Sequence, residues 1–147
     1  MKTVLITGAT SGIGKATAYE LAKKNFRLVL CGRRKNRLIE IEKELSALTQ
    51  VTSLCFDVRE KEIIEQRLSS LHEDFCQIDV LINNAGNAHG LDPVETGVIE
   101  DWDAMMDINV KGLLYVSRAI IPQMTARKSG HIINIGSSAG KEVYPKG

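Results

Sequence analysis

The sequence predicts an α/β fold in which a parallel sheet is wrapped by helices on both faces. Three observations carry this. Short apolar runs of strand length alternate strictly with stripes of helical period. The first run leads through a glycine-rich turn straight into a helical pattern, the arrangement of a strand-turn-helix unit. Alternation of this kind places consecutive strands parallel, because each must be reached by a crossover helix.

The elements follow in order. Val4-Leu5-Ile6 reads as the first strand, and Ala18, Leu21 and Ala22 give the stripe of the first helix. Arg27-Leu28-Val29-Leu30-Cys31 is a buried strand ended by Gly32, and Leu38, Ile41, Leu45 and Leu48 recur at helical spacing. Val51 to Phe56 is β-rich, Ile64, Leu68 and Leu71 form another stripe, and Ile78-Asp79-Val80-Leu81-Ile82 is the fourth strand. From Gly86 to about Glu100 the pattern breaks at Gly90, Pro93 and Gly97, which marks a functional loop. A long helix is expected over Trp102 to Met124, with Trp102, Met105, Met106, Leu113, Ile120 and Met124 toward the core and Pro122 kinking its end. Gly130 then leads into His131-Ile132-Ile133-Asn134-Ile135, the fifth strand.

Bulk properties narrow the function. The 147 residues, 44% hydrophobic and 25% charged, have the composition of one globular domain, residues 1–147. A net charge of +1 gives no general attraction to nucleic acid or anionic membrane, and no apolar stretch is long enough to span a bilayer. Small molecules and copies of the chain itself are therefore the expected partners. Met1-Lys2-Thr3 runs directly into the first strand without room for a signal peptide, so a cytoplasmic protein is expected. Cys31, Cys55 and Cys76 are odd in number and widely spaced, and two lie in strand-like runs, which suits buried reduced thiols. No metal site is expected. His72, His89 and His131 are scattered and read as surface or loop residues.

The turn Thr7-Gly8-Ala9-Thr10-Ser11-Gly12-Ile13-Gly14 has the composition that holds a dinucleotide pyrophosphate. Glycines are needed where the backbone turns tightly, approaches phosphate or lets helix pack on strand, and free amides of the helix N-terminus face the negative charge. Gly8, Thr10, Ser11, Gly12, Ile13 and Gly14 are thus expected cofactor contacts. Where the second strand ends, an acid would bond the free ribose 2′-hydroxyl of NAD, but this chain has Gly32-Arg33-Arg34-Lys35. A guanidinium at Arg33 or Arg34 suits a 2′-phosphate, and positive charge at a helix N-terminus is otherwise unfavourable, so NADP is the expected cofactor. At the end of the third strand, Asp57 can accept from the adenine amino group while Val58 lies against the ring, or Asp57 can simply cap the following helix. Asn83-Asn84-Ala85-Gly86 closes the fourth strand at the sheet's carboxyl edge, where Asn84, Ala85 and Gly86 allow close approach to a cofactor.

With these residues assembled, the chain resembles the short-chain dehydrogenase/reductase family, whose TGxxxGxG, NNAG, mid-helix Asn and strand-terminal Ser motifs occur here in order. Glu100-Asp101-Trp102 and Gly130 to Ser137 look most like its NADP-dependent 3-hydroxy acid, serine-type branch. The resemblance implies a Rossmann-type doubly wound sheet of order 3-2-1-4-5, truncated after the fifth strand. It assigns Asn109 the holding of a proton-relay water through a local opening of the long helix. It assigns Ser137, with Ser138 as understudy, a hydrogen bond to the substrate oxygen; turn chemistry is the plain alternative for this serine. The family also has a tyrosine about thirteen residues after that serine and a lysine about four further on, a proton-transferring pair. Tyr144-Pro145-Lys146 does not match that spacing and reads as a loop. The resemblance therefore implies an NADP-dependent oxidoreductase of a small hydroxy or carbonyl compound, with the given chain inactive by itself and prone to self-association through an open sheet edge. A 3-oxoacyl carrier-protein reductase and a non-catalytic dinucleotide-binding module remain alternatives.

Overall fold

The computed structural model describes residues 1–142. The sequence-predicted loop Tyr144-Pro145-Lys146 lies outside the described residues. Five strands, β1 (Thr3–Thr7), β2 (Arg27–Gly32), β3 (Val51–Cys55), β4 (Val80–Asn83) and β5 (His131–Asn134), form one parallel sheet in the order β3-β2-β1-β4-β5. Between them run α1 (Gly12–Lys23), α2 (Lys35–Leu45), α3 (Lys61–Ser69), the short α4 (Glu73–Cys76), α5 (Ile99–Met106) and α6 (Leu113–Ala126). This is the doubly wound architecture expected from the sequence.

Side chains of a strand point alternately to opposite faces, so a central strand buried on both sides must be apolar throughout. β1 shows this: Val4 and Ile6 join Ala18, Ala22, Leu38, Ile41 and Leu45 on one face, under α1 and α2. Leu5 joins Ile64, Leu81, Val116 and Ile120 on the other, under α3 and α6. The sheet's amino end is tied by Asp79, whose carboxylate accepts from the Thr3 N–H at 2.8 Å, and by Arg127, which donates to the Ile78 carbonyl.

The long helix departs most from expectation. It starts at Ile99, runs past Pro122 to Ala126, and is interrupted by a π turn over Asp107–Gly112. A π turn inserts one residue, and at 3.6 residues per turn this rotates everything upstream by about 100°. Ile120 and Met124 are buried as expected, but Trp102 and Met106 are turned out, 36% and 54% exposed, and Met105 and Leu113 are half-buried. Trp102 instead lies over Gly97, where a Cβ would overlap its ring. Val98, Ile99, Met106, Val110, Leu114 and Ile121 extend this exposed apolar surface along the helix.

Smaller corrections concern element ends. α2 stops at Leu45, leaving Leu48 in a turn and 51% exposed, and Ile78 and Asp79 precede β4 although Ile78 is buried. α3 begins at Lys61 with Glu60 at its N-cap, so Asp57 does not cap it. The cysteines are free, but only Cys31 is buried; Cys55 is half-buried and Cys76 exposed. Burial pushes the Cys31 thiol far above its ordinary range.

Candidate functional site

The carboxyl ends of all five strands open onto one cleft of about 1120 Å³. Every sequence-predicted site residue lines it except Gly14 and the understudy Ser138, and Asn83, Asn87, Asn134 and Gly136 line it as well. Its geometry begins with Thr7, the last residue of β1. Thr7 Oγ1 accepts from the main-chain N–H groups of both Asn84 and Ala85 at 3.0 Å and donates to the Ile82 carbonyl. In return, Asn84 Nδ2 donates to the carbonyls of Thr7 at 2.9 Å and Gly8 at 3.3 Å. The Asn84 amide thus binds the glycine turn itself and braces it against the end of β4.

The three glycines of the turn have separate jobs. Gly8 takes a φ of +66°, which favours glycine, and a Cβ there would lie 2.9 Å from Ala85 Cα. Gly14 begins the close packing of α1, and a Cβ would lie 2.5 Å from the Gly8 carbonyl oxygen. Gly12 differs, because its φ is +53° and nothing stands within 4 Å of where its Cβ would be. It faces open space at the start of α1, next to exposed Ser11 and Ile13, where the first helical amides lack partners.

At the neighbouring strand ends the two arginines separate. Arg34 folds back onto the turn, donating to Thr10 Oγ1 through Nε at 3.2 Å and Nη2 at 2.7 Å and to Ser11 Oγ at 2.8 Å. Arg33 extends outward with its side chain 60% exposed and makes one long 3.4 Å contact to Asp57 Oδ2. Asp57 is mainly held by Arg59, a residue the sequence reading did not single out. The Arg59 main-chain N–H and Nε donate to Oδ1 at 3.0 and 3.1 Å, and Nη2 donates to Oδ2 at 2.8 Å. Burial alone would raise the Asp57 carboxyl, but the Arg59 contacts and the Arg33 charge outweigh it and hold the group below the usual carboxylate range. Val58 turns inward against the π turn, where a Cβ on Gly112 would fall 2.6 Å from its Cγ2.

Asn109 lies in that π turn, and its side chain is bonded to the backbone of Asn87. Its Oδ1 accepts from the Asn87 N–H at 2.9 Å and its Nδ2 donates to the Asn87 carbonyl at 2.8 Å, a reciprocal clasp on the strand extension after Gly86. A Cβ on Gly86 would lie 3.1 Å from the same Oδ1, so this glycine lets the clasp close. Deeper in, Asn83, 4% exposed, donates to Ser117 Oγ and Asn134 Oδ1, both at 2.9 Å, joining β4 to α6 and β5. The buried side-chain oxygens of Asn83 and Asn87 have no partner among the described residues. Ser137, just past β5, does the turn chemistry considered for it, since its Oγ accepts from the Ala139 N–H at 3.2 Å. Ser137 is exposed and lines the cavity, and this bond leaves its hydroxyl proton free to rotate toward another acceptor. Thr7, Asn87 and Arg59 were missed because threonine at a strand end, an asparagine after NNAG and an arginine in a helix approach are common. The one available signal was the spacing of Arg59 two residues after Asp57, which suits an Asx-type turn.

Among known proteins, the NADP-dependent 3-hydroxy acid dehydrogenase YdfG of Escherichia coli strain K12 is 44% identical over 144 residues, 98% of this chain and 57% of that protein. Sulfoacetaldehyde reductase 2 of Chromohalobacter salexigens is 41% identical over 143 residues, 97% of this chain and 57% of that protein. The closed form of a serine dehydrogenase complexed with NADP+ superposes with a TM-score of 0.92 at 43% identity, covering 99% of this chain and 58% of the other. The chain therefore spans a little over half the length of the curated relatives it matches. A family description for short chain dehydrogenases matches residues 2–147, from the first strand through the glycine turn, the NNAG run and the serine. On that match, and on the geometry that joins these motifs in one cleft, the chain belongs to the short chain dehydrogenase family.

Proposed function

We propose that this chain forms the NADP-binding part of an oxidoreductase that moves hydride between the cofactor and a small hydroxy or carbonyl compound, with a 3-hydroxy acid as the leading substrate class. The observation that carries the reading is the contrast among the glycines. Protein atoms fill the space before Gly8 and Gly14, whereas Gly12 faces a cavity bordered by unpartnered helical amides and by an extended arginine. That cavity suits a pyrophosphate at the start of α1 and a ribose phosphate beside Arg33. The names of the relatives, which denote NADP dependence in one case and reduction of a small aldehyde in the other, support the cofactor and the substrate class.

Gly12, Ile13 and the first amides of α1 would hold the pyrophosphate, Arg33 the 2′-phosphate, and Asp57 with Val58 the adenine. Asn84, Ala85 and Gly86 would form the wall beneath the nicotinamide end. When bound, the nicotinamide supplies the hydride chemistry. Ser137 contributes a hydroxyl whose proton is directed to the substrate oxygen, where charge develops as the carbonyl is reduced. Asn109 holds the Asn87 backbone, and a relay water would sit at the opening of the π turn beside it, held by main-chain groups there or by the remaining proton and lone pair of the side-chain amide. The tyrosine and lysine that complete proton transfer in the family are not among these 147 residues, so this polypeptide is expected to bind cofactor without turnover. Its three free thiols support a reducing, cytoplasmic setting, which fractionation of the source cells tests. The apolar stripe from Val98 to Ile121 and the edge position of β5 support self-association into a homo-oligomer.

Calorimetric titration of the purified chain should show NADPH binding more tightly than NADH. Arg33→Ala should weaken NADPH by about tenfold or more, the scale of a lost charged hydrogen bond, and leave NADH nearly unchanged. Gly12→Ala should abolish binding of both while the protein stays folded, and equal affinities for the two cofactors would refute the NADP assignment. A steady-state assay with NADP+ and 3-hydroxy acids should give no rate above background; turnover of about 1 per second or faster would contradict the role given to the absent pair. Sedimentation velocity should show a dimer or larger species, and a lone monomer peak across the micromolar range would exclude self-association.

A further inference from the structure

The sequence pointed to Arg33 and Arg34 for the cofactor's extra phosphate, yet in the folded chain the best-placed carboxylate partner for Arg33 is Asp57, 24 positions later. The two groups meet at a single long contact of 3.4 Å, while Asp57 keeps its close and forked contacts for Arg59. The Asp57 side chain is only 13% exposed, so its charge needs a partner, and Arg59, 44% exposed, supplies three donors, two to Oδ1 and one to the same Oδ2 that Arg33 approaches. An arginine fork that satisfies a carboxylate in this way leaves a second cation nearby with little to gain from it.

We propose that Arg59 is a positioning residue for cofactor preference: by saturating Asp57, it keeps the Arg33 guanidinium free for the ribose 2′-phosphate. This deepens the NADP reading and rests on it. Without Arg59, Asp57 would be a part-buried carboxylate whose one nearby cation among the described residues is Arg33. Arg33 would close onto it, and binding the phosphate would require breaking a strong ion pair first. Arg34 is held at the glycine turn by its Nε and Nη2 bonds to Thr10 and Ser11, so it is not drawn to Asp57. The hydrogen bonds of the Arg59 side chain all go to Asp57, and its remaining electrostatic neighbours are Asp107 in the π turn and Glu60. Its effect on the phosphate is therefore exerted through Asp57.

The mechanism predicts a specific pattern in the ratio of NADPH to NADH affinity, a ratio in which contacts to adenine and pyrophosphate cancel. Measured by calorimetry on the 147-residue chain, Arg59→Ala should reduce the ratio several-fold, chiefly by weakening NADPH. Adding Asp57→Asn should restore the ratio, since the neutral amide no longer traps Arg33, even if both cofactors then bind more weakly. In an Arg33→Ala background, Arg59→Ala should leave the ratio unchanged. Far-ultraviolet circular dichroism and urea unfolding accompany each variant to establish that it is folded. An unchanged ratio in Arg59→Ala overturns the proposal, and so does a fall that Asp57→Asn fails to restore, because Arg59 would then act by a direct or merely structural route. Failure of the unaltered chain to bind either cofactor would overturn the broader functional reading itself, a result distinct from both.

Discussion

The site depends on the set of hydrogen bonds that ties Thr7 to Asn84. A doubly wound sheet has a point at which the chain's direction across the sheet reverses, and here it lies between β1 and β4. The helices that follow these strands diverge there, which opens the cleft but leaves two strand ends without further ladder partners. Thr7 Oγ1 takes up two of the orphaned amides and Asn84 Nδ2 takes up two carbonyls. Leaving such buried groups unpaired would cost about 1–3 kcal/mol each. The same bonds fix the height of the glycine turn above the sheet, so stability and the shape of the cleft arise from one interaction.

The opposite wall is organised by the π turn. One inserted residue lets Asn109 face the extension of β4 and clasp Asn87, and it brings Gly112 close enough for Val58 to pack on the helix backbone. The segment Asp57-Val58-Arg59 therefore touches two ends of the cleft. Asp57 meets Arg33 at the end proposed for the ribose, Val58 meets the helix that carries Asn109, and Arg59 holds Asp57 between them. This continuity is physical contact along three consecutive residues.

Much of this was legible in the sequence for reasons that can be named. The strands are buried on both faces and read as unbroken apolar runs, and the glycine turn and NNAG lie at strand ends where parallel sheets build sites. What escaped was whatever local period cannot encode. Residues 102 and 120 stand 18 apart, five full turns of an α-helix, so both were expected on the core face; the π insertion turns Trp102 away and leaves Ile120 buried. The family resemblance foresaw an opening at Asn109, yet the partner of its side chain was invisible, since Asn87 is 22 residues away in sequence. Arg59 escaped for a related reason, because only the folded geometry shows that Asp57 has two cations to choose between.

The most direct test of the account is the isosteric change Thr7→Val, which removes the hydroxyl at the centre of the strand-end network while keeping the side chain's volume. Urea unfolding and NADPH titration of the same preparation should show stability lowered by about 2–6 kcal/mol, for the two amides left unpaired, together with a clear loss of NADPH affinity in the folded protein. Reduced stability with unchanged NADPH affinity would contradict the claim that these bonds shape the cleft, and would leave them as supports of the sheet alone.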